Sequence, residues 1–237
     1  MTTQGGDAAE AIANGTTSLG IELGSTNIKA CLIGPDHEVL ATGTHTWENQ
    51  FVDRLWTYSE DAIWTGLQEA YAALVANVRE RHGVDLTRIG ALGLSAMMHG
   101  YLAFDADGRL LAPFRTWRNT NTGAAAAELT ESLGFNFPLR WSASHLYQAI
   151  LDDEPHVADV AFVTTLAGYV HWRLTGEKVL GVGDASGMFP IDPATRDYDA
   201  PMLAAFQDLV SAHRPGLDVA ALLPQVKVAG ENAGTMT

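Results

Sequence analysis

An α/β fold with a mixed central sheet flanked by helices is predicted from the order of segments along the chain. Strand-like runs meander between Leu19 and Thr46, a long amphipathic helix follows, and a short, nearly all-apolar strand, Ile89–Ser95, comes after it. That last run suits a strand buried on both faces. The order is neither a simple βαβ alternation nor all-helical, and no internal repeat or coiled-coil stretch interrupts it.

The first strands form a hairpin. An apolar run reaches Leu23, turns through Gly24, Ser25, Thr26 and Asn27, and resumes as Ile28–Ile33. Gly34-Pro35-Asp36 then turns the chain into a third strand, His37–Thr46. Residues 47–58 are polar and aromatic without clean periodicity and read as loop. Ser59 is placed to cap a helix whose first turn holds Glu60 and Asp61, favourable at the positive end of the dipole. Ile63, Leu67, Ala70, Tyr71, Leu74, Val75 and Val78 share one face of it, and Gly83 ends it. Beyond Ser95, Tyr101–Phe104 and Arg109–Leu111 flank an Asp105-Ala106-Asp107-Gly108 turn, and the edge runs on to Phe114, Thr116 and Trp117. An Ala-rich helix over 121–133, capped by Thr120 or Thr122, is followed by a strand, Val160–Thr164. A helix over Leu166–Thr175 closes at Gly176, and Gly181–Gly187 is a small-residue loop. Helices over Met202–Ala212 and Val219–Leu223 lead to a strand starting at Val226.

Composition narrows the class. Hydrophobic residues at 47% and charged residues at 18% are those of a soluble globular protein of 237 residues. A formal net charge of −14 argues against a nucleic-acid backbone as partner, although one small phosphate site needs only a few local donors. Cys31 is the single cysteine, so no internal disulfide can form, and a reducing, cytoplasmic setting is expected. No apolar run approaches a membrane span, so no membrane partner is expected. Residues 1–17 lack the basic start and apolar core of a signal peptide and read as a disordered leader. That leaves 18–237 as one domain, whose last strand begins so near residue 237 that the chain reads as cut from something longer, the alternative being a frayed terminal tail.

Four places hold polar residues in settings suited to a site. The opening hairpin combines Glu22, Gly24, Ser25, Thr26 and Lys29, a mixture suited to a polyphosphate and its metal. The same residues also make an ordinary glycine-containing hairpin. Ser95–Gly100 follows a buried strand, and ligands of open sheets sit beyond strand ends, which puts His99 in reach of one. A lone histidine is equally a structural hydrogen-bonding residue. Thr116–Thr122 sets Arg and Asn donors beside Trp117, as a carbohydrate site needs, or simply caps a helix. Asp184 lies among small residues that admit close approach of a ligand, or forms a turn. No HExxH, GxGxxG, P-loop or GxSxG pattern is present.

Taken in order, these segments resemble the N-terminal half of the FGGY carbohydrate kinases, which include xylulose, ribulose and glycerol kinases. Gly20-Ile-Glu-Leu-Gly-Ser-Thr-Asn-Ile-Lys29 is similar to the family's first phosphate motif, and Leu92-Gly-Leu-Ser-Ala-Met-Met-His-Gly100 to a xylulose-kinase stretch. Leu111–Thr122, Tyr169–Glu177, Asp184–Met188 and Arg196–Leu203 resemble later landmarks in register. The resemblance implies a ribonuclease H-like (actin-like ATPase) domain and ATP- and Mg2+-dependent phosphorylation of a sugar hydroxyl. It implies phosphate contacts from Gly24, Ser25, Thr26 and Lys29, and Mg2+ held through water at Glu22. It places Met98, His99, Trp117 and Asp184 at or near the sugar, and Arg118, a donor beside Trp117, is the further candidate sugar contact that the residues themselves suggest.

This chain departs from the family pattern at Glu22, where Asp is usual, at Ala96-Met97 in place of Gly-Gln, and at Arg118–Asn121. Xylulose is therefore not carried over as substrate; a small ketose or polyol is expected. The family's general-base Asp falls after Thr237, so no catalytic residue is assigned in this chain. Its partners are expected to be the sugar, ATP and a C-terminal ATP-binding domain absent from the chain, with homodimerisation left open. A non-catalytic sugar-binding or regulatory module, and an actin-like ATPase without sugar kinase activity, are the alternative readings.

Overall fold

The computed structural model describes residues 4–237, which separate into two compact units. One comprises residues through Asn49 together with Tyr58–Met97, and the other Gln50–Thr57 with Met98–Thr237.

The first unit begins with α1 (Gln4–Asn14), so the expected disordered leader is corrected from Gln4 onward; residues 1–3 of that leader lie outside the described residues. Ala8, Ala11 and Ile12 recur at helical spacing and are all buried, which supplies the apolar contact that a leader would lack. Strands β1 (Ser18–Leu23), β2 (Asn27–Ile33) and β3 (Val39–Thr46) form an antiparallel meander. Hairpin β4 (Gln50–Val52) and β5 (Leu55–Thr57) belongs to the second unit and replaces the expected 47–58 loop.

Helix α2 (Glu60–His82) is capped as its sequence requires. The Ala62 amide donates to Ser59 Oγ at 3.1 Å, and Gly83 takes the left-handed conformation at the other end. Its buried stripe of Ile63, Leu67, Ala70, Leu74 and Val78 covers one face of β2 and β3. Packing is so close that a Cβ on Gly43 would stand 2.1 Å from the Ala70 carbonyl oxygen. Strand β6 (Ala91–Ala96) pairs parallel with β1, giving the order β3-β2-β1-β6 and the mixed sheet that the sequence predicts. It is not buried on both faces, however: none of its six residues is fully buried, because it lies at the sheet edge and its second face is uncovered among the described residues.

The second unit is mainly helical. Strand β7 (Leu102–Phe104) pairs antiparallel with β8 (Phe162–Thr164), and on its other side the expected Asp105–Gly108 turn closes, with the Asp105 amide donating to the Arg109 carbonyl at 3.0 Å and the Leu111 amide to the Ala103 carbonyl at 2.9 Å. Helices α3 (Gly123–Leu133), α4 (Ser142–Leu151) and α5 (Leu166–Thr175) follow in turn. Next come β9 (Val179–Gly181), the short α6 (Val182–Ala185) where a loop is expected, and the small β10 (Ile191–Asp192) and β11 (Asp197–Tyr198) pair. Helices α7 (Ala200–His213) and α8 (Val219–Leu222) precede β12 (Gln225–Lys227), which pairs parallel with β9. Leu129, Tyr147, Phe189, Phe206 and Val210 anchor its apolar core.

Candidate functional site

In the first unit, the β1–β2 turn presents the residues expected at phosphates. Ser25 and Thr26 are exposed at its tip, and Gly24 is half-buried. The turn is held from beneath. Tyr58 donates its hydroxyl to the Ser25 carbonyl at 2.6 Å, and the Trp47 indole N–H donates to the Gly24 carbonyl at 2.7 Å. Those two rings stack with centroids 4.0 Å apart. Rigid support beneath two exposed hydroxyls is the preorganisation that an anion contact requires.

Glu22 and Lys29 are cross-strand neighbours, and Lys29 Nζ lies 3.3 Å from Glu22 Oε2. Both side chains are more than half exposed, so the pair is worth under about 1 kcal/mol and opens readily to a competing ligand. No group of three or more acidic, His or Cys side chains suited to a metal occurs among the described residues. One exposed carboxylate beside an amine fits Mg2+ held through water, the ion's usual habit when phosphates supply its direct ligands.

In the second unit, the chain reverses at His99 and Gly100, with φ of 68° and 114°. A left-handed histidine costs backbone energy and persists only where its surroundings fix it. Here the Gly100 amide donates to the Arg140 carbonyl at 3.2 Å, and Ser142 Oγ donates to the Gly100 carbonyl at 2.6 Å. Met98 remains 40% exposed beside it. His99 Nδ1 lies 3.4 Å from the Gly187 carbonyl oxygen. A Cβ on Gly187 would stand 2.8 Å from that nitrogen and 3.0 Å from Met98 Cε.

Asp184 is on α6, one turn before Gly187. Thr165 donates its hydroxyl to Asp184 Oδ2 at 2.6 Å. Burial raises the Asp184 pKa, while the Thr165 hydrogen bond and the nearby His99 oppose that rise. The structure therefore groups Met98, His99 and Asp184. Trp117 is half-buried, with the Arg140 guanidinium 5.5 Å from its ring centroid. Arg118 is exposed and stacks on Trp56, its Cζ 3.7 Å from the ring centroid. That stack is set by Asn119, which accepts from the Trp56 amide at 2.9 Å and donates to the Trp56 carbonyl at 2.8 Å.

Thr165, Arg140 and Trp56 are missed by sequence reasoning, while Gly187 is read only as one small residue of the loop around Asp184. Trp56 lies in the aromatic stretch that reads as loop, and Thr165 carries a local signal as the helix cap that accepts from the Gly168 amide. Arg140 carries none, since its role arises only when distant segments meet.

A mixed sheet with a β-meander, a covering helix and a parallel fourth strand defines an actin-like, ribonuclease H-like fold. A xyloylose kinase from Brucella ovis superposes with a TM-score of 0.75 at 23% identity, over 93% of this chain and 45% of that one. Plasmodium falciparum glycerol kinase with ADP gives a TM-score of 0.72 at 14% identity, over 93% of this chain and 45% of that one. The family model described as "FGGY family of carbohydrate kinases, N-terminal domain" matches residues 17–237, and the chain belongs to that family. Xylulose kinase of Escherichia coli (strain K12) is 30% identical over 231 residues, covering 88% of this chain and 44% of the relative. The chain thus spans less than half the length of the relative it matches.

Proposed function

We propose that this chain is the sugar-binding and phosphate-facing domain of an ATP-dependent carbohydrate kinase acting on a small ketose or polyol. The observation that supports this best is the grouping of Met98, His99 and Asp184 around Gly187, where the lack of a side chain leaves room for His99. In this reading His99, Asp184 and Arg118 bond sugar hydroxyls, while Met98 and the Trp117 face cover its C–H surface. Gly24, Ser25, Thr26 and Lys29 meet the phosphates of ATP, and Glu22 holds a water of Mg2+. The bound Mg2+ would neutralise charge on the transferring phosphoryl group, whose reaction depends mainly on positioning and charge stabilisation.

The sugar hydroxyl still needs its proton accepted, and the family's base is expected on polypeptide beyond residue 237. The 237-residue chain alone should therefore release no ADP in response to sugar, and a version extended through the following domain should do so. The extended protein would be screened with ATP and Mg2+ against ketotetroses, ketopentoses, their polyols and glycerol. His99→Ala should lose the sugar response while the fold survives. A His99→Ala variant indistinguishable from the parent would overturn the assignment of the sugar pocket. The single Cys31 favours a cytoplasmic setting, and no helix among the described residues is long and apolar enough to cross a membrane.

A further inference from the structure

Next to the His99–Gly100 reversal lies a polar ring, buried except at Glu154, that neither the sequence motifs nor the proposed function employs. Arg115 is 3% exposed, and its Nη2 donates to Glu154 Oε2. The Tyr101 hydroxyl lies 2.8 Å from His156 Nε2. His156 Nδ1 in turn lies 3.4 Å from Glu154 Oε2. Tyr101 and Arg115 close the ring through their backbones, exchanging N–H···O bonds of 2.9 and 3.1 Å. The Arg115 guanidinium also stands 5.3 Å from the Tyr101 ring centroid.

We propose that Arg115, Glu154, His156 and Tyr101 are positioning residues that hold His99 and Gly100 in their left-handed conformation. The route is short. Tyr101 directly follows Gly100, and a Cβ on Gly100 would stand 2.7 Å from the Arg115 carbonyl oxygen. Arg115 is therefore the floor against which the reversal is pressed. Its side chain is fixed at Glu154, so that floor is tied to the turn after α4. The Arg115 end of this ion pair is buried and the Glu154 end half-buried, and an ion pair so withdrawn from water is a poor source of stability compared with apolar packing; fixing one local conformation is a use that suits it better. His145, Glu154 and Tyr101 are the titratable groups that face Arg115, and none of the ring members touches the sugar in this reading. The inference rests on His99 being a sugar contact.

The test is amide hydrogen exchange on the full 237-residue chain, with Glu154→Gln, Arg115→Met, Arg115→Lys and Tyr101→Phe. Glu154→Gln and Arg115→Met should speed exchange at Gly100 and Tyr101 by about tenfold or more, with Phe206 in α7 unchanged. Arg115→Lys, which keeps the charge, should restore most of the protection. Tyr101→Phe loses only the hydroxyl and keeps the test available if the charge variants fail to fold; it should speed Gly100 about threefold. Exchange at Gly100 and Tyr101 that rises only in step with Phe206, or does not rise, would show a merely structural ring and overturn the proposal. D-xylulose and D-ribulose responses of His99→Ala in the extended protein decide the sugar-site reading separately. Loss of that reading would not alter what exchange shows about the ring and the reversal.

Discussion

Acidification should weaken the second unit through one residue, His145. It lies on α4, wholly buried, and neither ring nitrogen meets a hydrogen-bonding group among the described residues. Burial pushes its pKa down to about 3; the Arg115 guanidinium adds to that shift and Glu154 opposes it. The folded value lies below the ordinary histidine value, so the unfolded chain takes up the proton first. The stability is present above about pH 6.5 and is lost as pH falls toward 3. Each proton taken up on unfolding costs up to about 1.4 kcal/mol per pH unit, which comes to about 2.3 kcal/mol between pH 6.5, where the unfolded histidine is half protonated, and pH 4.5. His145→Met removes that titration. It also relieves two unpaired buried nitrogens, which together cost roughly 1–3 kcal/mol, so the variant should be no less stable near neutrality. Urea unfolding followed by tryptophan fluorescence, from about pH 7 to about 4.5, compares the two proteins. The parent's stability should fall more steeply than the variant's by about one proton. Equal slopes would refute the assignment of a neutral, buried His145.

Three further outcomes follow from local geometry. Gly187→Ala would push a methyl against the ends of the His99 and Met98 side chains, so sugar response in the extended protein should weaken while the melting temperature barely moves. Gly43→Ala meets backbone of α2 at 2.1 Å and should cost about 3 kcal/mol, read by chemical denaturation. Ser59→Ala removes the cap of α2 and should cost about 1 kcal/mol in the same assay.

The parts legible in the sequence are those whose signals are local. The β1–β2 hairpin announces itself by two apolar runs around Gly24–Asn27, and α2 by its stripe and by Ser59 and Gly83 at its ends. Helix α4 is hidden because Ser142 to Ile150 are all buried, which leaves no polar face to set a period. The β4–β5 hairpin is hidden because Asp53 and Arg54 take positive φ, 49° and 67°, where glycine or asparagine is the usual marker. What sets it is Asn119, 63 residues away from Trp56. The site shows the same division. His99 and Asp184 stand out by chemistry and by position after a strand or within a small-residue loop. Their grouping depends on His99 reaching Gly187 across 88 residues, and no local pattern records that.

Strand β6 carries a consequence for handling the chain in solution. Its sequence, Ala-Leu-Gly-Leu-Ser-Ala, holds no charge and no proline, and it ends the sheet order. Charges, prolines and bulges are the features that deter strand addition at such an edge, and this strand has neither of the first two. One side is satisfied by β1; among the described residues the other side pairs with no strand, which leaves its backbone groups to an extended segment of suitable register. Concentrated samples should therefore show concentration-dependent association, and a lysine introduced along β6 should suppress it.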